Sequence, residues 1–166
     1  MNFKKVFEII NQMEEEGVIE RYAVGGAVGA TFYLEPVATL DVDVFVAFRA
    51  SGLIVDPSPI FEWLKAQGGV MEGEYVMLVN TPVQILMAGT PLVEEAILEA
   101  VEFDVEGVRV RVFSAEYLAA IALEVGRSKD KLRVLQFMEE EALDAASFEG
   151  ILSRHGLLER WRSIQN

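Results

Sequence analysis

The chain has 166 residues, of which 52% are hydrophobic, and carries 27 acidic against 14 basic side chains for a formal charge of −13. It is long and apolar enough to bury a core without staples, which excludes disorder, and too acidic for extensive nucleic-acid contact, which clustered Lys and Arg normally provide. It holds no cysteine and one histidine, and no apolar run reaches the roughly 18 residues of a membrane span, so disulfides, thiolate chemistry, Cys-ligated zinc and a transmembrane helix are excluded.

The N-terminus, Met-Asn-Phe-Lys-Lys-Val-Phe-Glu, lacks the apolar stretch and cleavage site of a secretion signal, so the expected location is cytoplasmic. Residues 3–16 place Phe3, Val6, Phe7, Ile10 and Met13 at helical spacing, with Gly17 as the stop. Residues 22–25 read as a short buried strand ending in the pair Gly25-Gly26, and 27–34 as a helix closed by Pro36. Residues 40–48 alternate acidic and apolar side chains, the period of a strand. Ser58-Pro59 opens a helix over 57–67, which Gly68-Gly69 closes. Strands are predicted at 74–79 and 83–87, joined at Asn80-Thr-Pro, then a helix at 91–100 and a hairpin over 103–113 around Glu106-Gly107. From Ser114 onward the pattern is helical, with helices opening at Ser114, over 130–141 and over 147–161. The expectation is one α/β (α+β) domain spanning 1–166, a mixed sheet core over about 1–113 and a helical part over about 114–166. Met71, Met77, Met87 and Phe103 read as core, and Trp161 as the anchor of the last helix. The runs Glu14 to Glu16 and Glu139 to Glu141 read as solvated helix ends. His155 reads as a surface or capping residue, since no Gly-x-Ser-x-Gly nucleophile elbow accompanies it.

The chemistry concentrates in Gly25-Gly26, a helix-length insert, and Asp41-Val42-Asp43. A glycine pair at a strand-to-helix turn lets backbone N–H groups approach a phosphate. Carboxylates at i and i+2 of a strand share a face, and hard oxygen ligands on one face suit Mg²⁺ or Mn²⁺ bound together with substrate phosphates. No Walker motif, dinucleotide Gly-x-Gly-x-x-Gly or His-rich cluster is present.

Val24-Gly-Gly-Ala-Val-Gly, Glu35-Pro36 and Thr39-Leu-Asp-Val-Asp-Val-Phe-Val resemble the signature of the nucleotidyltransferase (polymerase-beta-like) superfamily, and in particular a group of small bacterial and archaeal nucleotidyltransferases. Downstream, Ala119-Ala-Ile-Ala-Leu-Glu-Val-Gly-Arg127-Ser-Lys129-Asp130 resembles the Arg-x-Lys-Asp helix start of the AbiEii-like toxin nucleotidyltransferases. Together the two segments carry the resemblance over most of residues 20–140. It implies a mixed sheet flanked by helices, with metal ions on Asp41 and Asp43. Gly25 and Gly26 would hold the triphosphate, and Thr39, Arg127 and Gln84 would complete the substrate-binding set. Lys129 would stabilise charge on phosphate, and Asp130 would orient Lys129 or a substrate hydroxyl. The implied activity is Mg²⁺-dependent transfer of a nucleotidyl group from a nucleoside triphosphate to an acceptor, with a toxin-like role among the options.

Three positions depart from that pattern. Active relatives carry a third carboxylate on the strand that here reads Pro82-Val-Gln84-Ile-Leu, and an amide cannot act as a base near neutral pH. Glu72 or Glu74 on the adjoining strand could replace it. The toxin-like pattern also expects an Asp where Arg133 stands and a Lys near Ala122. The alternative is therefore a binding module that keeps the fold without the chemistry, as a nucleotide sensor or as one half of a toxin–antitoxin pair held through its helical tail. An antitoxin-like partner or a second copy of the chain are the candidate protein partners.

Overall fold

The computed structural model describes residues 2–35, 41–47 and 56–166. Their elements are α1 (Phe3–Glu15), β1 (Arg21–Gly25), α2 (Gly26–Ala30), β2 (Val42–Ala47), α3 (Ser58–Ala66), β3 (Val70–Glu72), β4 (Tyr75–Leu78), β5 (Thr81–Met87), α4 (Pro91–Leu98), β6 (Val101–Val105), β7 (Val108–Val112), α5 (Ala115–Val125), α6 (Ser128–Glu139), α7 (Ala145–Arg154) and α8 (Leu158–Gln165).

The strands form one seven-stranded mixed sheet in the order β3-β4-β5-β2-β1-β7-β6. At its centre β2 runs antiparallel to β1 and parallel to β5, and β7 runs parallel to β1. Period-2 alternation gives β2 two distinct faces. Val42, Val44 and Val46 are fully buried with Val6, Phe7 and Ile10 of α1 and Ile60 and Leu64 of α3. Asp41, Asp43, Phe45 and Ala47 point the other way, where Phe45 and Ala47 pack against the cluster built by α4 to α8. Burial of the valine face pins the register, because a one-residue slip would bury both aspartates in that apolar layer.

Local chemistry sets the element ends. Asn2 accepts from the Lys5 N–H to cap α1, Ser114 accepts from the Tyr117 N–H at 3.3 Å to cap α5, and Thr90 accepts from the Val93 N–H at 3.2 Å to cap α4. Gly126, in the left-handed region at φ 72°, ends α5 and lets α6 start immediately afterwards.

The structure also corrects the expectations. The C-terminal stretch is two helices, not one over 147–161, because the chain turns at His155-Gly156 with Gly156 at φ 68°. An extra strand, β3, pairs antiparallel with β4 at the sheet edge, and Met71 on it is 38% exposed instead of buried. Met77, Met87 and Phe103 are only half-buried. The hairpin begins at Val101, with Glu106 and Gly107 both at positive φ in its turn. Trp161 is buried and meets Phe148 edge-on at 5.3 Å between ring centres. Glu15, Glu16 and Glu139 to Glu141 are solvent-exposed, as expected of helix ends, with Glu16 accepting from the Trp63 indole N–H and Glu140 from the Glu35 N–H. Glu14 departs from the expectation by forming an ion pair with Arg111. Pro36, Thr39, Leu40 and Phe48 lie outside the described residues. Among the described residues no helix is long and apolar enough to cross a membrane.

Candidate active site

In the sheet, Asp43 stands opposite Gly25 on β1 and opposite Gln84 on β5. It lies at one end of a cleft of about 580 Å³ between this sheet face and the α5–α6 corner. Asp41, Asp43, Gly26, Glu74, Tyr75 and Gln84 line the sheet side of that end, and Arg127, Lys129, Asp130 and Arg133 line the helix side.

Gly26 has two reasons to be glycine. Its φ is +60°, and a Cβ there would collide with the Asp43 carboxylate, whose Oδ2 is the nearest atom and whose Cγ would lie 2.9 Å away. Gly25 is equally constrained, since a Cβ would lie 2.7 Å from the Phe45 ring and 2.9 Å from the Phe113 ring. The glycine pair thus lets the turn fold down onto the aspartate.

Burial pushes the Asp43 carboxyl up to about 7, and the Asp41 carboxyl beside it, hydrogen-bonded and of like charge, adds to the shift. Arg133 and Lys129 pull in the other direction without cancelling it. Two adjacent carboxyls share a proton when no cation lies between them. Moreover, Asp43 Oδ1 is buried and is the one such side-chain oxygen or nitrogen with no hydrogen-bond partner among the described residues. Leaving a buried acceptor unsatisfied costs roughly 1–3 kcal/mol. An inward-facing, unsatisfied, paired carboxylate therefore fits a hard divalent cation, and Asp41 and Asp43 are the residues that would hold it. Among the described residues no group of three His, Cys, Asp or Glu side chains could do so.

Gln84 Nε2 donates to Glu74 Oε2 at 3.2 Å, so Glu74, from the turn between β3 and β4, is the acid that reaches the amide standing beside Asp43. Glu72 does not line the cleft. Tyr75 lies in the same negative field, and Asp41 first, then burial and Glu74, raise its phenol above the ordinary value.

On the helix side, Asp130 is 2% exposed and has its hydrogen bonds to Arg127: Nε at 2.6 Å, Nη2 at 3.3 Å and the backbone N–H at 3.2 Å. The resemblance implies that Asp130 orients Lys129 or a substrate hydroxyl; among the described residues its hydrogen bonds go to Arg127 instead of Lys129. The carboxylate caps α6 and, with three bonds to one neighbour, holds Arg127 at the cleft wall. Lys129 and Arg133, one helical turn apart, both act electrostatically on Asp43. Arg133 belongs to the site although the sequence reading treated it as a departure. Its i+4 spacing from Lys129 was the available signal.

No protein-family model matches the chain, and no characterised protein matches it in sequence. Solved structures do match the fold. An antigenic nucleotidyltransferase-like protein from Paracoccidioides brasiliensis has a TM-score of 0.52 at 16% identity, with 82% of this chain and 74% of that chain covered. The antibiotic-resistance factor ANT(2'')-Ia in complex with adenylyl-2''-tobramycin has a TM-score of 0.55 at 16% identity, with 94% of this chain and 97% of that one covered. The solution structure of the same factor gives 0.52 at 16% identity, with 97% of both chains covered. At such identities the likeness concerns the fold: this chain has the nucleotidyltransferase fold.

Proposed function

We propose that the protein is a Mg²⁺-dependent nucleotidyltransferase that moves a nucleotidyl group from a nucleoside triphosphate to a hydroxyl-bearing acceptor. The observation that carries this reading is the unsatisfied Asp43 carboxylate, paired with Asp41 and facing three cationic side chains across a cleft. The fold of a chain solved in complex with adenylyl-2''-tobramycin supports it, because that chain is matched almost end to end.

In this reading Asp41 and Asp43 would hold the divalent cation, which would neutralise phosphate charge and polarise the reacting phosphorus. Gly25 and Gly26 keep the turn beside the pair free of side chains so that the polyphosphate can approach. Lys129 and Arg133 stabilise the charge that develops on the leaving pyrophosphate, and Arg127 is held in place by Asp130. As the acceptor oxygen bonds to the α-phosphorus and the bond to pyrophosphate breaks, the hydroxyl proton passes to Glu74, the carboxylate next to Gln84. The test is Asp43→Asn, which keeps shape and removes charge. Transfer of labelled nucleotide to an acceptor should fall by orders of magnitude, and undiminished transfer would contradict the mechanism.

Gln84 favours a second reading, a nucleotide-binding module with the same fold and no turnover, because an amide occupies the strand position in register with Asp43. Calorimetry of a triphosphate with and without Mg²⁺ separates the two. Metal-dependent binding without product would support the module.

A further inference from the structure

We infer that the end of the cleft away from Asp41 reads the nucleotide's base through Glu124 and selects guanine; this deepens the nucleotidyltransferase reading and rests on it. The cleft follows β5 from Gln84, in register with Asp43, to Met87, in register with Val46, a run of about 10 Å at the usual strand rise, and continues to Thr90. Along that run its walls change character. The charged groups give way to Phe45 and Leu86 on the sheet and Leu118 and Ile121 on α5, an apolar slot suited to the faces of a flat heterocycle.

The slot ends in a polar pair brought together from two helices. Thr90, the cap of α4, donates its hydroxyl to Glu124 Oε1 at 3.3 Å, and both residues line the cleft. Among the described residues no Lys, Arg or His forms an ion pair with Glu124. The nearby Arg160 places its guanidinium on the backbone carbonyls of Leu123 and Glu124. The Glu124 carboxylate is thus fixed in direction by Thr90 and left with acceptor capacity towards the slot, since an ionised carboxylate has about four acceptor positions and no donor.

An acceptor-only reader distinguishes the bases by their edges. Guanine sets two N–H donors, the ring amide and the amino group, side by side, so each carboxylate oxygen can take one. Adenine and cytosine place one amino donor next to a ring nitrogen acceptor, which opposes the second oxygen. Uracil has one N–H between two carbonyls. A Gln in place of Glu124 would present one donor and one acceptor, the combination that pairs with adenine.

The experiment is calorimetry of non-hydrolysable GTP, ATP, CTP and UTP analogues in Mg²⁺, with wild type, Glu124→Gln and Glu124→Ala, each checked by thermal unfolding. Wild type should bind the GTP analogue at least about tenfold more tightly than the ATP analogue, in keeping with a bidentate base contact. Glu124→Gln should lose that advantage and gain affinity for ATP, while Glu124→Ala should bind all four alike. Equal affinities in wild type, or a GTP preference unchanged in both variants, would overturn this inference and leave the nucleotidyltransferase reading standing. Weakened binding of a polyamine such as tobramycin by Glu124→Gln, with nucleotide affinities unmoved, would assign the carboxylate to an acceptor amine and overturn it as well. No Mg²⁺-dependent binding of any of the four nucleotides would overturn both.

Discussion

Two carboxylates in this molecule have been pushed in opposite directions, and the contrast separates a working site from a structural one. Glu95 on α4 accepts from Tyr117 of α5 at 2.8 Å and from Arg154 of α7 at 3.0 Å, and meets His155 Nε2 at 3.0 Å. The Arg154 hydrogen bond first, helped by His155 and Tyr117, holds it down at about 2. Tyr117 comes from α5 and Arg154 and His155 from the end of α7, so the cluster staples α4, α5 and the end of α7 together. Asp43 has the reverse: burial and Asp41 raise it to about 7, and one of its oxygens has no partner. Glu95 has its partners in place and serves the fold, whereas the raised and open Asp43 carboxyl is the one the proposed mechanism assigns to a ligand.

The sharpest way to break that comparison is Asp43→Asn. Besides the loss of transfer, it should make the metal-free protein more stable, because the charge that burial disfavours is gone. The sign follows from the direction of the shift. With the folded value raised to about 7 from 3.8, the wild-type site is unpenalised below about pH 4 and loses stability as pH rises through 7. The gain in Tm for the variant should therefore open between pH 4 and 7 and persist above it. A lower Tm at pH 8 would contradict the account.

Gly26→Ala comes next. The positive φ alone costs an L-residue about 1–2 kcal/mol, or roughly 2–8 °C in Tm, and the new methyl displaces Asp43. Transfer should drop at least tenfold, measured alongside thermal unfolding.

Glu95→Gln should instead lower Tm at neutral pH by a smaller amount and leave transfer untouched. Because the folded value is depressed from 4.5, the stabilisation is present above about pH 4.5 and lost as pH falls through 2, so the wild-type and variant curves should converge across that range. The smallest effect belongs to Glu102→Gln. Its partner Arg109 lies 3.6 Å away with both side chains more than half exposed, and the change should stay within about 0.5 kcal/mol.

The sheet and the aspartate pair were legible in the sequence because they depend on local periodicity. Asp41-Val-Asp43-Val-Phe-Val announces a two-faced strand, and a glycine pair after a short apolar run announces a tight turn. What lay beyond reach depends on pairings far apart in the chain. Glu74 reaches the site because the β3–β4 turn carries it to Gln84, ten positions on, while Glu72, two residues earlier, stays outside. Thr90 and Glu124 meet across 34 positions, and Glu95 meets His155 across 60. The Arg-x-Lys-Asp run was visible, and its spacing held the local signal for the Asp130–Arg127 bond, since residues at i,i+3 meet at a helix start whereas adjacent Lys129 and Asp130 do not face each other.

The most direct measurement is a crystal grown with Mn²⁺ and a non-hydrolysable nucleoside triphosphate, read by the anomalous signal of the metal. The account predicts a metal peak at the Asp41 and Asp43 carboxylates, with the polyphosphate beside it and facing Lys129 and Arg133. Bound nucleotide with no metal peak at the pair, or with its phosphates away from it, would contradict the claim that Asp43 is left unsatisfied in order to receive a cation.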